Sequence, residues 1–387
     1  MLPVSVGDST KMLKVKMHKA DNGDCVSIET RSEFVLIDGG TAQSFDGWKE
    51  QIIGHVSKID SVIVTHIDND HVNGVIKLLT HPDCPSVDRI YFNGAEQLFG
   101  HISTEESDAR TDVKLQALSE EISEVGDKDP IGYSEGTSLS YVIFDKGYTC
   151  NDVVGGEALY REKCAQFEIG SLKFNVIGPD LSALSELKKV WEEKLEERNI
   201  RPKILSKSYY DAFEQFTSSV QEKSSDNYQI SSTEQTNIEA LANATFDDDN
   251  SPTNKSSFSF LVECEDKKIL YLGDCHAQIV MSWLDEQQLD SIKVDAVKIS
   301  HHGSQNNTSL DLLRRIECDK YLISTNGKSH GHPDLETLAR IAIVNTQTQT
   351  EIHLNYDVET IPEWFVSDLH ENYPMIKLLL NSCEVEV

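Results

Sequence analysis

THIDNDHVNG (residues 65–74) places His66, Asp68, Asp70 and His71 within six consecutive positions. The apolar, β-branched run SVIV (61–64) precedes it and a helix-like segment (72–79) follows. Strand preference before and helical periodicity after put four potential ligands on the turn between a strand and a helix. Turns favour Asp and Asn, but two His and two Asp in this order exceed what a solvated turn requires. Such a cluster suits a hydrolase that uses a bound cation to bring the pKa of water down to roughly 7.

Three later stretches repeat the pattern of an apolar run ending in Asp or His. YLGDCH (271–276) sets Asp274 after the run 268–272, and KISHHGSQNNTS (298–309) sets His301 and His302 after 294–299. STNGKSHGHP (324–333) sets His330 and His332 after 321–323. One such ending is commonplace. Four of them predict strand ends that converge on one edge of a sheet.

HxDxDH, GD, HHGS and GHP, in this order, resemble the motifs of the metallo-β-lactamase superfamily. They are most similar to the branch typified by the C-terminal hydrolase domain of the DNA-uptake competence protein ComEC. NGDCVSIETRSEFVLIDGG (22–40) resembles that branch's opening hairpin, which ends in a DGG turn. NKSSFSFLVECEDKKILYLGD (254–274) resembles the opening of its second half. The resemblance implies an α/β (α+β) fold, a four-layer αββα sandwich with a dinuclear metal site at the edge between two sheets. It implies His66, Asp68, Asp70, His71, Asp274, His302 and His332 as metal ligands, with Asp274 bridging two cations. It further implies Asp70 as the holder of the nucleophilic water, His301 or His330 as proton donor, and Asp38 of the DGG turn as the residue that orients a ligand.

The sequence departs from the superfamily in two places. Asp68 stands where the second His of HxHxDH would be, and a carboxylate there suits manganese or magnesium better than imidazole does. Two divalent ions are expected, zinc or manganese, with magnesium possible. A further His found in many members between the first cluster and GD has no recognisable counterpart, since His81 and His101 read as surface residues.

The expected domain runs from 10 to 355, with 356–387 as an extension packing on it. Acidic, partly helical insertions are expected at about 96–164 and 218–254. The latter contains FDDDNSPTN (246–254) and has few large apolar residues, which predicts a mobile loop. GPDLSALSELKKVWEEKLEERN (178–199) predicts a helix capped by Asp180, with Leu181, Leu184, Leu187, Trp191 and Leu195 on its packed face. The eight Cys show no CxxC pair, and Cys275 reads as a small buried thiol. No apolar run approaches the ~20 residues of a membrane span, and nothing resembles a signal peptide, so a cytoplasmic location without membrane partners is expected.

The formal net charge is −30. Nucleic-acid binding rests on Lys and Arg neutralising phosphates, so this chain alone is a poor match for long duplex DNA. Lys298 and Lys328 are the basic residues beside the site motifs and could contact a phosphate. The function expected is a metal-dependent phosphodiesterase or nuclease, acting either on a short substrate or on a nucleic acid delivered by a basic partner protein, with a multi-subunit complex possible. Two alternatives stay open. One is hydrolysis of a small molecule such as a cyclic nucleotide or lactone. The other is a metal-containing interaction subunit of a larger assembly, such as a bacterial defence complex.

Overall fold

Val35 and Ile37 face one core while Leu36, between them, faces another. This is the period-two alternation of a strand buried on both sides. The same split recurs at Ile63 against Val62 and Val64, and at Ile269 and Tyr271 against Leu270. A strand with two apolar faces belongs inside a layered fold. The computed structural model, which describes residues 13–103, 108–125, 137–221, 237–329 and 331–387, has that architecture.

The first sheet holds β1 (Lys14–Met17), β2 (Val26–Glu29), β3 (Phe34–Ile37), β4 (Ser61–Ile63) and β5 (Ile90–Tyr91). The second holds β6 (Gln166–Ile169), β7 (Leu172–Gly178), β8 (Ser259–Cys264), β9 (Lys267–Tyr271), β10 (Ala296–Lys298), β11 (Lys320–Ile323), β12 (Thr350–Leu354) and β13 (Ile376–Leu379). A last strand, β14 (Glu384–Glu386), returns to pair with β1. The sheet orders are β14-β1-β2-β3-β4-β5 and β13-β12-β11-β10-β9-β8-β7-β6. In each sheet antiparallel hairpins give way to parallel strands, from β3 onward in the first and from β9 onward in the second.

One apolar core fills the space between the sheets, with Val15, Ile28 and Ile63 meeting Phe174, Phe260 and Ile269. The outer faces are covered by helices. Val72, Val75 and Ile76 of the helix Asn69–Thr80 pack on the first sheet. Val280 and Trp283 of Ala277–Glu286, with Leu338 and Ile341 of Leu335–Val344, pack on the second. The result is an αββα sandwich, the metallo-β-lactamase fold. Among the described residues no helix is long and apolar enough to cross a membrane.

The insertions are better anchored than their composition suggests. Leu115, Leu118, Leu139 and Val142 of the first bury into the core over the first sheet. The helix Leu181–Glu197 forms as expected, with Asp180 accepting from the Ala183 N–H at 2.8 Å. Its Leu184, Leu187, Trp191 and Leu195 are buried, but Leu181 at the first position is half exposed. Part of the expected mobile loop, residues 222–236, lies outside the described residues. Its remainder is held by Ile238 and Ala242, buried beside the helix Leu335–Val344. Residues 356–387, expected as an extension, instead supply an edge strand to each sheet.

Candidate metal centre

The parallel strands of both sheets point their C-terminal ends at one edge, the position where α/β sheets build their sites. Asp38 follows β3 with φ 59°, and it gathers the neighbouring strand end. Its carboxylate accepts from the Thr65 N–H at 2.7 Å, the Thr65 hydroxyl at 2.8 Å and His71 Nδ1 at 2.9 Å. Because the Thr65 hydroxyl donates to Asp38, it accepts from His66 Nδ1 at 3.0 Å. Both imidazoles thus carry their proton on Nδ1 and turn Nε2 inward. Asp68 caps the helix Asn69–Thr80, accepting from the Asn69 N–H at 2.6 Å. Asp70 and His71 lie in the first turn of that helix. Asn22 Nδ2 donates to Asp70 Oδ2 at 3.0 Å. Gly23 allows this approach, since a Cβ there would sit 1.9 Å from the Asp70 carbonyl oxygen.

The second sheet supplies the other half. Asp274 follows β9, its N–H donating to Ser257 Oγ at 3.0 Å. His301 and His302 follow β10 and are both left-handed, with φ of 45° and 53°. Two adjacent non-glycine residues in that region cost on the order of 1–3 kcal/mol each and persist only where surroundings impose them. His302 Nδ1 donates to the Ser324 carbonyl at 3.0 Å, and His301 Nδ1 pairs with Asn307 Oδ1 at 2.9 Å.

All four imidazoles aim Nε2 at one carboxylate oxygen. Asp274 Oδ2 lies 3.3 Å from His71, 3.7 Å from His302 and 3.9 Å from both His66 and His301. Asp70 closes the cluster, Oδ1 3.8 Å from His71 Nε2 and Oδ2 3.4 Å from His302 Nε2. The Nε2 atoms of His66, His71 and His302 and both oxygens of Asp274 are buried without a hydrogen bond. Lone pairs facing a carboxylate at these distances repel unless a proton or a cation lies between them. The donor sets His66–His71–Asp274 and Asp70–His71–His302 are each compact enough to hold an ion. The residues therefore fit divalent metal, bound through imidazole and carboxylate.

The electrostatics agree. Burial depresses His71, but Asp274, Asp38 and Asp70 outweigh it and hold the imidazolium well above the usual range. Against the same burial, Asp274 and Asp24 lift His302 to about 10. Burial and the charge of His71 push His66 down to about 3. Burial would raise Asp274, yet His71, His302 and His301 keep it well below the carboxylate range. Protons on His71 and His302 offset the carboxylates here, and a divalent cation would displace them, coupling metal binding to proton release.

Of the expected ligands, His66, Asp70, His71, Asp274 and His302 come together. Asp68 stands at the rim, Oδ2 4.0 Å from His66 Nε2, its carboxyl pushed well up by burial and by Asp70. His332 adjoins His301, ring centroids 5.3 Å apart, with Nδ1 3.5 Å from Asp334. His301, expected as a proton donor, bears the same relation to Asp274 as His66 does. His330 lies outside the described residues. His101 is exposed and paired with Glu96. Cys275 belongs to the core under the second sheet, its thiol pushed up to about 12 by burial.

Lys298, a candidate phosphate contact in the sequence, is buried, with Nζ 2.5 Å from Asp24 Oδ2. The other Asp24 oxygen lies 3.5 Å from His302 Nδ1. The sequence reading passed over Asp24, Thr65, Asn22 and Asn307. The signal for the first was a charged residue, Lys298, inside an otherwise apolar strand, which demands a buried partner.

Residues 18–89 match the model of the metallo-beta-lactamase superfamily. No curated protein matches it in sequence. Solved structures similar to it include a diphosphatase of the PhnP family, at 10% identity over 98% of each chain with a TM-score of 0.41. The metallo-beta-lactamase fold protein YhfI of Bacillus subtilis is 10% identical over 98% of this chain and 100% of that one, with a TM-score of 0.37. The diiron beta-hydroxylase CmlA of Streptomyces venezuelae is 9% identical over 97% of this chain and 54% of its own, with a TM-score of 0.39.

Proposed function

We propose that this chain is a metal-dependent phosphodiesterase, in nuclease-like chemistry akin to the ComEC branch. The observation that carries the proposal is the set of four Nε2 atoms around Asp274 Oδ2. His66, His71, His301 and His302 with Asp70 and Asp274 would hold two divalent cations, with Asp68 and His332 at the rim. Cations held there would supply Lewis acidity, lowering the pKa of water to about 7 and stabilising charge on phosphorus.

The chain's own side chains set the geometry. Asp70, turned by Asn22, orients the attacking water. Asp38 and Thr65 fix the tautomers of His71 and His66. His330, two positions before His332 in the sequence, is the proposed donor to the leaving oxygen. The carboxylate of Asp68 at the rim, where the superfamily motif has a His, supports manganese serving at least as well as zinc.

The net charge of −30 favours a short substrate, or a nucleic acid brought by a basic partner. The test is metal analysis of the purified protein, with hydrolysis of bis-(p-nitrophenyl) phosphate and of short and long DNA and RNA measured against salt. Metal-dependent diester cleavage that is flat or rising with moderate salt is expected, as screening relieves repulsion over a Debye length of about 8–10 Å. Absence of bound metal together with absence of turnover would end the proposal. Tight, salt-sensitive binding of long duplex DNA by the chain alone would remove the partner from it.

A further inference from the structure

Asp249 lies in the acidic segment FDDDNSPTN, between Asp248, which is exposed, and Asn250, also exposed. Asp249 itself turns inward. Its side chain is only 8% exposed. Its N–H donates to the Asn306 carbonyl at 3.1 Å, tying the segment to the turn that carries His301 and His302. Oδ1 accepts from the Ser251 N–H at 2.8 Å, while Oδ2 accepts from Asn254 Nδ2 at 2.7 Å and Asn307 Nδ2 at 3.0 Å. The same oxygen lies 3.6 Å from His276 Nε2 and 3.7 Å from His301 Nδ1.

These bonds decide the state of His301. Asn307 Nδ2 is divided between Asp249 and the Asp274 carbonyl, the latter at 3.2 Å. With its NH2 committed, the amide must present Oδ1 to His301 Nδ1, where it stands at 2.9 Å. An acceptor there requires the proton on Nδ1, which leaves the lone pair of Nε2 facing Asp274. Asn254 Nδ2 donates to Asp249 and lies 3.4 Å from the same Nδ1, where, as a second donor, it makes no bond to the Nδ1 proton.

We infer that Asp249 is a positioning residue that sets the tautomer and ring orientation of His301 through Asn307, making the acidic insertion a working part of the metal centre. The inference rests on the metal-binding reading above. Partners that hold a ligand's far nitrogen are worth about 10–100-fold in metal affinity, and Asp249 acts one residue further out.

The test uses the full chain and the isosteric Asp249→Asn, with Asp249→Glu as the charge-retaining variant and Asp248→Asn as the control. Zinc affinity is read by competition with a chromophoric chelator. The His301 tautomer is read in metal-free protein from the coupling of imidazole nitrogens to ring protons, assigned with His301→Gln. Asp249→Asn is expected to lower zinc affinity about 10-fold and to give His301 a mixed tautomer, with Asp249→Glu recovering much of both and Asp248→Asn matching the wild type. Unchanged affinity and tautomer in Asp249→Asn would overturn the inference. So would an equal loss in Asp248→Asn, which would make the effect one of bulk charge. The tautomer is measured without metal, so it remains readable even if wild-type protein binds no zinc, the result that would instead end the metal-binding reading.

Discussion

His71 Nδ1 donates to Asp38 Oδ2 across 2.9 Å, and both side chains are fully buried. The pair joins two parallel strand ends, because the same carboxylate also takes both donors of Thr65. One aspartate therefore sets the tautomer of His71 directly and that of His66 through a hydroxyl.

Asp38→Asn should leave the sandwich folded, since an amide oxygen can still accept from the Thr65 N–H. It should lower metal affinity by about 10–100-fold, because an amide cannot serve all three donors at once. Equilibrium competition with a chelator gives the number. Wild-type affinity in this variant would mean that the strand ends, not Asp38, orient the imidazoles.

Lys298 and Asp24 form an ion pair with both side chains at most 1% exposed. Removing one partner of such a pair strands the other charge in the interior, at a cost of about 3–5 kcal/mol. Lys298→Met should therefore lower unfolding free energy by that amount in denaturant titrations. The double variant Lys298→Met, Asp24→Leu should recover most of the loss. A single variant as stable as the wild type would show that water reaches Asp24.

These two sites mark how far the linear sequence could be read. The turn 65–74 and the DGG, GD and HHGS turns were legible because each is an apolar run that ends abruptly in Asp or His, whatever folds around it. Lys298 was misread as a phosphate contact because its partner Asp24 comes from the other half of the chain, and only the joining of the two sheets brings them together. Asp249 was hidden in a segment whose composition signals a solvated loop, although three hydrogen bonds to its side chain hold it inside. The strands β13 and β14 read as an extension in the sequence because short edge strands bury few side chains and leave little periodicity.

Glu214, in the helix Lys207–Gln221, is buried and accepts from the N–H groups of Leu139 and Ser140 at 2.7 and 3.1 Å. Burial, with the charge of Asp211 adding to it, raises its carboxyl from 4.5 to about 7. Between those values the unfolded chain gives up the proton while the folded one keeps it, so stability falls as pH rises and the loss is complete above about 7. At about 1.4 kcal/mol per unit, the wild type should lose roughly 3 kcal/mol relative to Glu214→Gln between pH 4.5 and 8. The metal centre titrates in both proteins and cancels from the difference. A difference independent of pH would mean that Glu214 is ionised throughout, held by the two N–H groups.

Asp68 occupies the position of the second His in HxHxDH and reaches to 4.0 Å of His66 Nε2 while capping its helix. Asp68→His exchanges an oxygen donor for a nitrogen donor at that rim. Imidazole suits zinc and carboxylate suits manganese, so the ratio of manganese to zinc dissociation constants should rise in the variant, by roughly 10-fold or more for one exchanged ligand of the kind whose partners alone are worth 10–100-fold. Loss of the cap should cost about 1 kcal/mol of stability, small enough to leave the protein folded for the comparison. Both constants are measured on the same preparation, so a general loosening of the site would lower both affinities together and leave their ratio unchanged. An unchanged ratio would place Asp68 outside the metal's reach and leave it the cap alone.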